Sequence, residues 1–124
     1  MPTLIDAVLA KGVVMKATGG IQAMTDSIRD REEVVCPVPS EFPLVLGIVF
    51  KGEPDEVINI STEVHSHMNQ PLWFDSGKLQ VPASGKGEFV INIPIPVRDV
   101  GPCYVKLNFN SQQVWTQRVF FARV

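Results

Sequence analysis

The chain has 124 residues, 45% of them hydrophobic and 19% charged, with a net charge of -2. That length predicts one domain, able to bury most of its surface without disulfide or metal staples. Scattered cations and a negative balance exclude a binder of phosphate backbones, which needs clustered Lys and Arg, and no apolar run approaches the ~20 residues that span a bilayer.

The charged fraction lies below the usual ~25%, which points to a surface partly covered by a second copy or a protein partner. The opening "MPTLIDAVLAKG" lacks a basic segment, and Asp6 interrupts its apolar run. It therefore does not read as a signal peptide, and the expectation is a cytoplasmic chain with Cys36 and Cys103 as free thiols.

Along the chain, alternation dominates and helical spacing is hard to find. "LIDAVLAKG" and "GGIQAMTDSI" read as two strands joined through "VVMKATGG", with a turn at Gly19-Gly20. "SIRDREE", Ser27 to Glu33, reads as a charged loop or a helical turn, and Pro37, Pro39 and Pro43 favour extended backbone. Residues 28 to 41 are thus expected to form one long proline-bearing connection, of the kind that is often functional or mobile. "FPLVLGIVFK" is apolar on both faces: Phe42, Leu44, Leu46, Ile48 and Phe50 on one, Pro43, Val45, Gly47 and Val49 on the other. Such a strand is covered on both sides, by its own chain or by a neighbouring one.

"EVINISTEVHSHM" alternates cleanly. Ile58, Ile60, Thr62, Val64, Ser66 and Met68 share one face; Val57, Asn59, Ser61, Glu63, His65 and His67 share the other. "FDSGK" breaks the pattern at Asp75-Ser76-Gly77 and predicts a bent strand or a small hairpin. "EFVINIPIPV" turns Phe89, Ile91, Ile93, Ile95 and Val97 inward. Its Pro94 and Pro96 lack N–H groups on one side, so its second half is an edge or has left the sheet. "CYVKLNFN" sets Cys103, Val105, Leu107 and Phe109 against the wet face of Tyr104, Lys106, Asn108 and Asn110. A hairpin turn over Asn110 to Gln113 leads into the closing strand, "QVWTQRVFFARV". With turn-rich "KGEPDE", "PASGKGE" and "RDVGP" between strands, the chain reads as all-β: a single antiparallel β-sandwich of about eight strands, immunoglobulin-like or jelly-roll-like.

"DAVL", "GGIQAMTDSI", the proline-bearing loop into "FPLVLGIVFKGEPDE" and the late "GPCYVKLNFN" together resemble a family of small bacterial β-sandwich domains of unknown function. The resemblance covers most of the chain. It implies a β-sandwich and carries over no catalytic residue. Asp99, Gly101 and Tyr104 also resemble the tyrosine corner of immunoglobulin-like sandwiches.

Chemistry concentrates in one place. Glu63, His65 and His67 recur at every second position, so on one strand their Cβ atoms point the same way ~6–7 Å apart. Two imidazoles and a carboxylate so placed can share a divalent metal; Asp75 or Glu88 could complete the set if the topology brought them near. The polar company of Asn59 and Ser61 favours a solvated strand face instead. Paired histidines would also titrate near neutrality and make an interface pH-sensitive. Neither Cys36 nor Cys103 has a local base to activate it, and Gly85-Lys86-Gly87 is a turn without the helix of a phosphate cradle. Trp73 and Trp115, with Tyr104, are candidate contacts for a partner or a sugar, although aromatics at such positions more often cap a core.

The functional expectation is a non-enzymatic binding or assembly module with no cofactor, for which the two-sided apolarity of residues 43 to 50 suggests a homo-oligomer. The alternatives are a metal-binding sandwich or metal-dependent enzyme using Glu63, His65 and His67, and a carbohydrate-binding module using the tryptophans.

Overall fold

The computed structural model describes residues 2–124. These residues form nine strands: β1 (Thr3–Met15), β2 (Ile21–Ser27), β3 (Glu32–Cys36), β4 (Ser40–Lys51), β5 (Val57–Ser66), β6 (Pro71–Gln80), β7 (Lys86–Val97), β8 (Gly101–Phe109) and β9 (Gln112–Arg123). They make a four-stranded sheet in the order β2-β1-β4-β7 and a five-stranded sheet in the order β3-β9-β8-β5-β6. No helix among the described residues is long and apolar enough to cross a membrane.

Alternation builds the core. Leu44, Leu46 and Ile48 of β4 and Ile91, Ile93 and Ile95 of β7 face Ile58 and Val64 of β5, Val105 and Leu107 of β8, and Val119 and Phe121 of β9, all buried. Each such side chain contributes ~1.5–3 kcal/mol on full burial. Phe42 and Phe121 meet edge to face across the layers, with ring centroids 5.9 Å apart. Ile28 ties the two sheets together where the chain crosses: its N–H donates to the Leu9 carbonyl at 2.7 Å. Its own carbonyl accepts from Nε2 of the buried Gln117 at 2.7 Å.

Three expectations change. The connection over residues 28 to 41 contains a strand, β3, which pairs in parallel with β9 from Glu32↔Val119 to Cys36↔Arg123. Its polar start hid it, yet Val34 and Cys36 are buried at alternate positions. The region around Asp75-Ser76-Gly77 is a strand and holds no hairpin: β6 pairs continuously with β5 from Val57↔Gln80 to Val64↔Trp73. The β8–β9 turn is tighter than expected, with only Asn110 and Ser111 outside the strands, at φ of 50° and 67°. That is the handedness a two-residue hairpin needs.

Both apolar faces of β4 are explained within the chain. β1 pairs with β4 over Thr3–Ala10 and with β2 from Ala10 onward. The β1–β2 hairpin then folds back over the outer face of its own sheet. A Cβ added to Gly47 would lie 2.6 Å from Met24 Sδ and 3.3 Å from Ile21 Cδ1. The Ile21 N–H donates to Glu88 Oε2 on β7 at 2.6 Å. Pro94 and Pro96 lie opposite Pro43 and Glu41 of β4 on an edge strand, as their missing N–H groups require.

Candidate functional site

Glu63 and His65 project from the outer face of the five-stranded sheet. Lys106 and Tyr104 of β8 lie opposite them, and Arg118 of β9 lies beyond Tyr104. Glu63 Oε1 is 3.7 Å from His65 Nε2. Asn108 Nδ2 donates to Glu63 Oε2 at 3.0 Å and to Ser61 Oγ at 3.1 Å. The His65 Nδ1 is buried without a hydrogen-bond partner. These half-buried side chains hold one another in a polar strip.

His67 does not join them. β5 ends at Ser66, whose hydroxyl accepts from the N–H groups of Met68 and Gln70, both at 3.2 Å. Asn69 turns the chain at φ 58°. His67 therefore sits in an exposed turn and lines a cavity of about 180 Å³ at the end of the sandwich, with Arg98, Asp99 and Gly101. Asp75 lies opposite Thr62 on the inter-sheet side of β6, and Glu88 holds the β1–β2 hairpin. Among the described residues, no three His, Cys, Asp or Glu side chains gather closely enough to hold a metal ion.

Trp73 and Trp115 are partly buried and pack against the core, while Phe74 stands 60% exposed. Cys36 and Cys103 are buried free thiols. Burial, and secondarily a charge on Cys36, pushes the Cys103 thiol up to about 11, which leaves it protonated and unreactive at neutral pH.

A further arrangement was not legible in the residue pattern: the flank where β6 and β7 edge their respective sheets. Val81, just past β6, directs both backbone groups toward β5. Its N–H donates to the Glu56 carbonyl at 2.8 Å, and its carbonyl accepts from the Asp55 N–H at 2.9 Å. Alternation along an antiparallel ladder then turns the N–H and C=O groups of Phe74, Ser76 and Lys78 outward, where β6 has no neighbour. Beside this edge a cavity of about 190 Å³ opens between the sheets, lined by Ile60, Thr62, Asp75, Gly77, Phe89 and Ile91. Phe89, 40% exposed, forms its lip. A Cβ on Gly77 would meet nothing within 4 Å, so the missing side chain is what leaves the slot open.

No family model matches the chain, and no curated protein matches it. Among solved structures, an immunoglobulin-like protein from Pseudomonas aeruginosa superposes with a TM-score of 0.53 at 11% identity, over 98% of this chain and 97% of that one. An alkylpurine DNA glycosylase from Pseudomonas fluorescens, bound to DNA containing an abasic site analog, gives 0.50 at 9% identity, over 77% of this chain and 30% of that one. A glycosyl hydrolase family 2 member from Bacteroides cellulosilyticus gives 0.49 at 6% identity, over 68% of this chain and 13% of that one. The chain thus spans less than a third of either larger protein. At such identities the likeness concerns architecture alone, and the full-length match to the first of these gives this chain an immunoglobulin-like β-sandwich fold.

Proposed function

We propose that the protein is a non-enzymatic binding module whose contact surface is the open flank between β6 and β7. One observation carries this reading: a strand of ten residues with unpaired outward backbone groups runs beside a slot with an apolar floor of Ile60, Phe89 and Ile91 and a polar rim of Thr62, Asp75, Ser76 and Lys78. Main-chain hydrogen bonds along such an edge supply affinity, and a pocket for an alternate side chain supplies specificity. Pro94 and Pro96 deny the second half of β7, the edge of the other sheet on this flank, the same use.

The test uses that same proline device. The Ser76 N–H points outward, so Ser76→Pro removes a donor that β5 does not use. Random peptides displayed on phage and selected on the wild-type protein should yield binders that Ser76→Pro loses while its thermal unfolding stays within a few degrees of wild type. Hydrogen exchange should show the Phe74, Ser76 and Lys78 amides slowing in the complex. Selection that returns only binders indifferent to Ser76→Pro, or none, counts against the proposal.

A further inference from the structure

Resting on the binding-module reading, we infer that β6 recognises an antiparallel extended segment with the order acidic, apolar, any residue, basic. In an antiparallel ladder, residues directly opposite each other put their side chains on the same face. Lys78 lies opposite Asn59 on the outer face of the sheet, and Asp75 lies opposite the buried Thr62 on the inner face. Neither forms a salt bridge among the described residues.

An added strand running opposite to β6 meets these positions in the order Lys78, Gly77, Ser76, Asp75. Its first residue shares the outer face with the Lys78 ammonium, which selects a carboxylate. Its second points through the space above Gly77 into the slot floored by Ile60 and Ile91, which selects an apolar side chain. A volume of about 150 Å³ takes a benzene, so the slot of about 190 Å³ has room over its Ile60 and Ile91 floor for one side chain of branched aliphatic size. The third residue faces solvent beside Ser76. The fourth turns inward against the Asp75 carboxylate, which selects a cation. An inward-pointing charge on an edge strand normally prevents pairing; here it rejects strands that lack the basic residue, a repulsive element that serves specificity.

The charge pattern also distinguishes this occupant from a second copy of the chain. A two-fold pairing of β6 with itself brings like faces together, whereas Asp75 and Lys78 lie on opposite faces of their strand. Self-pairing therefore leaves both charges unmatched.

The probe is the capped peptide Thr-Thr-Glu-Ile-Thr-Lys-Thr-Thr, compared by calorimetric titration with its charge-swapped form, Thr-Thr-Lys-Ile-Thr-Glu-Thr-Thr. The first should bind at least ten-fold more tightly. The double variant Asp75→Lys, Lys78→Glu should reverse that preference. Gly77→Val should weaken the first peptide at least ten-fold while leaving the urea midpoint unchanged, because the added atoms enter open space. Equal affinity for the two peptides, with β6 amides still protected by both, overturns the charge order and leaves the binding surface standing. Absence of β6 protection by either peptide, together with no Ser76→Pro-sensitive binder from the library, overturns both.

Discussion

At the scale of single residues, Cys103 links burial to pH. Its folded pKa of about 11 stands above the ordinary 9.0. Between those values the unfolded chain has released the thiol proton and the folded chain has kept it, so the unfolded state binds fewer protons and stability falls as pH rises. The loss should begin near pH 9, level off near pH 11 and reach about 2–3 kcal/mol, at 1.36 kcal/mol per unit. Urea denaturation of wild type and Cys103→Ala across pH 8 to 11 should show that slope in the first and not in the second. Ser111 makes a second case. It holds φ of 67° in the β8–β9 turn, a region that a side chain disfavours by about 1–2 kcal/mol. Ser111→Gly should raise stability by about 0.5–1 kcal/mol, read as a higher urea midpoint at unchanged slope. Asn110, by contrast, is anchored: its side-chain oxygen accepts the Asn59 N–H at 3.0 Å, and its own N–H donates to the Asn59 carbonyl at 2.8 Å.

At the scale of elements, the β1–β2 hairpin depends on a position without a side chain. Gly47→Val would drive a Cβ to within 2.6 Å of Met24 Sδ. Overpacking of that kind typically costs about 1–3 kcal/mol. Met24→Ala in the same chain should recover part of the loss, and a double-mutant cycle that shows no coupling would contradict the contact. The same hairpin explains why two-sided apolarity in β4 looked like a cue for a second copy: a strand pattern does not say whose side chains cover it. The strands with clear alternation, β5, β7 and β8, were legible because a half-buried pleat requires that period, and β4 by its unbroken apolar run. β3 was not, because it opens on Glu32 and Glu33 and its partner lies far downstream in sequence. Of the candidate site, Glu63 and His65 could be read as neighbours from spacing alone. The departure of His67 had a weaker signal in Asn69 and Pro71, both turn formers. The slot above Gly77 had none, since it exists only because β6 ends one sheet beside the end of another.

For the molecule as a whole, the open flank and the polar strip lie on the same sheet, so a segment added to β6 would extend the surface that carries Glu63 and His65. The parallel ladder between β3 and β9 has another consequence, for synthesis. β9 sits between β3 and β8, so until it leaves the ribosome β3 has no partner and β8 has only β5, and the chain must close a loop from Glu32 to Val119 to complete the layer. Pairing over so long a separation favours folding of this layer only once β9 has emerged. Nascent chains stalled before Gln112 emerges should stay open to protease, and resistance should arrive in one step when β9 is released. Resistance that grows gradually from the first hairpin onward would show that the other sheet folds without waiting for its counterpart.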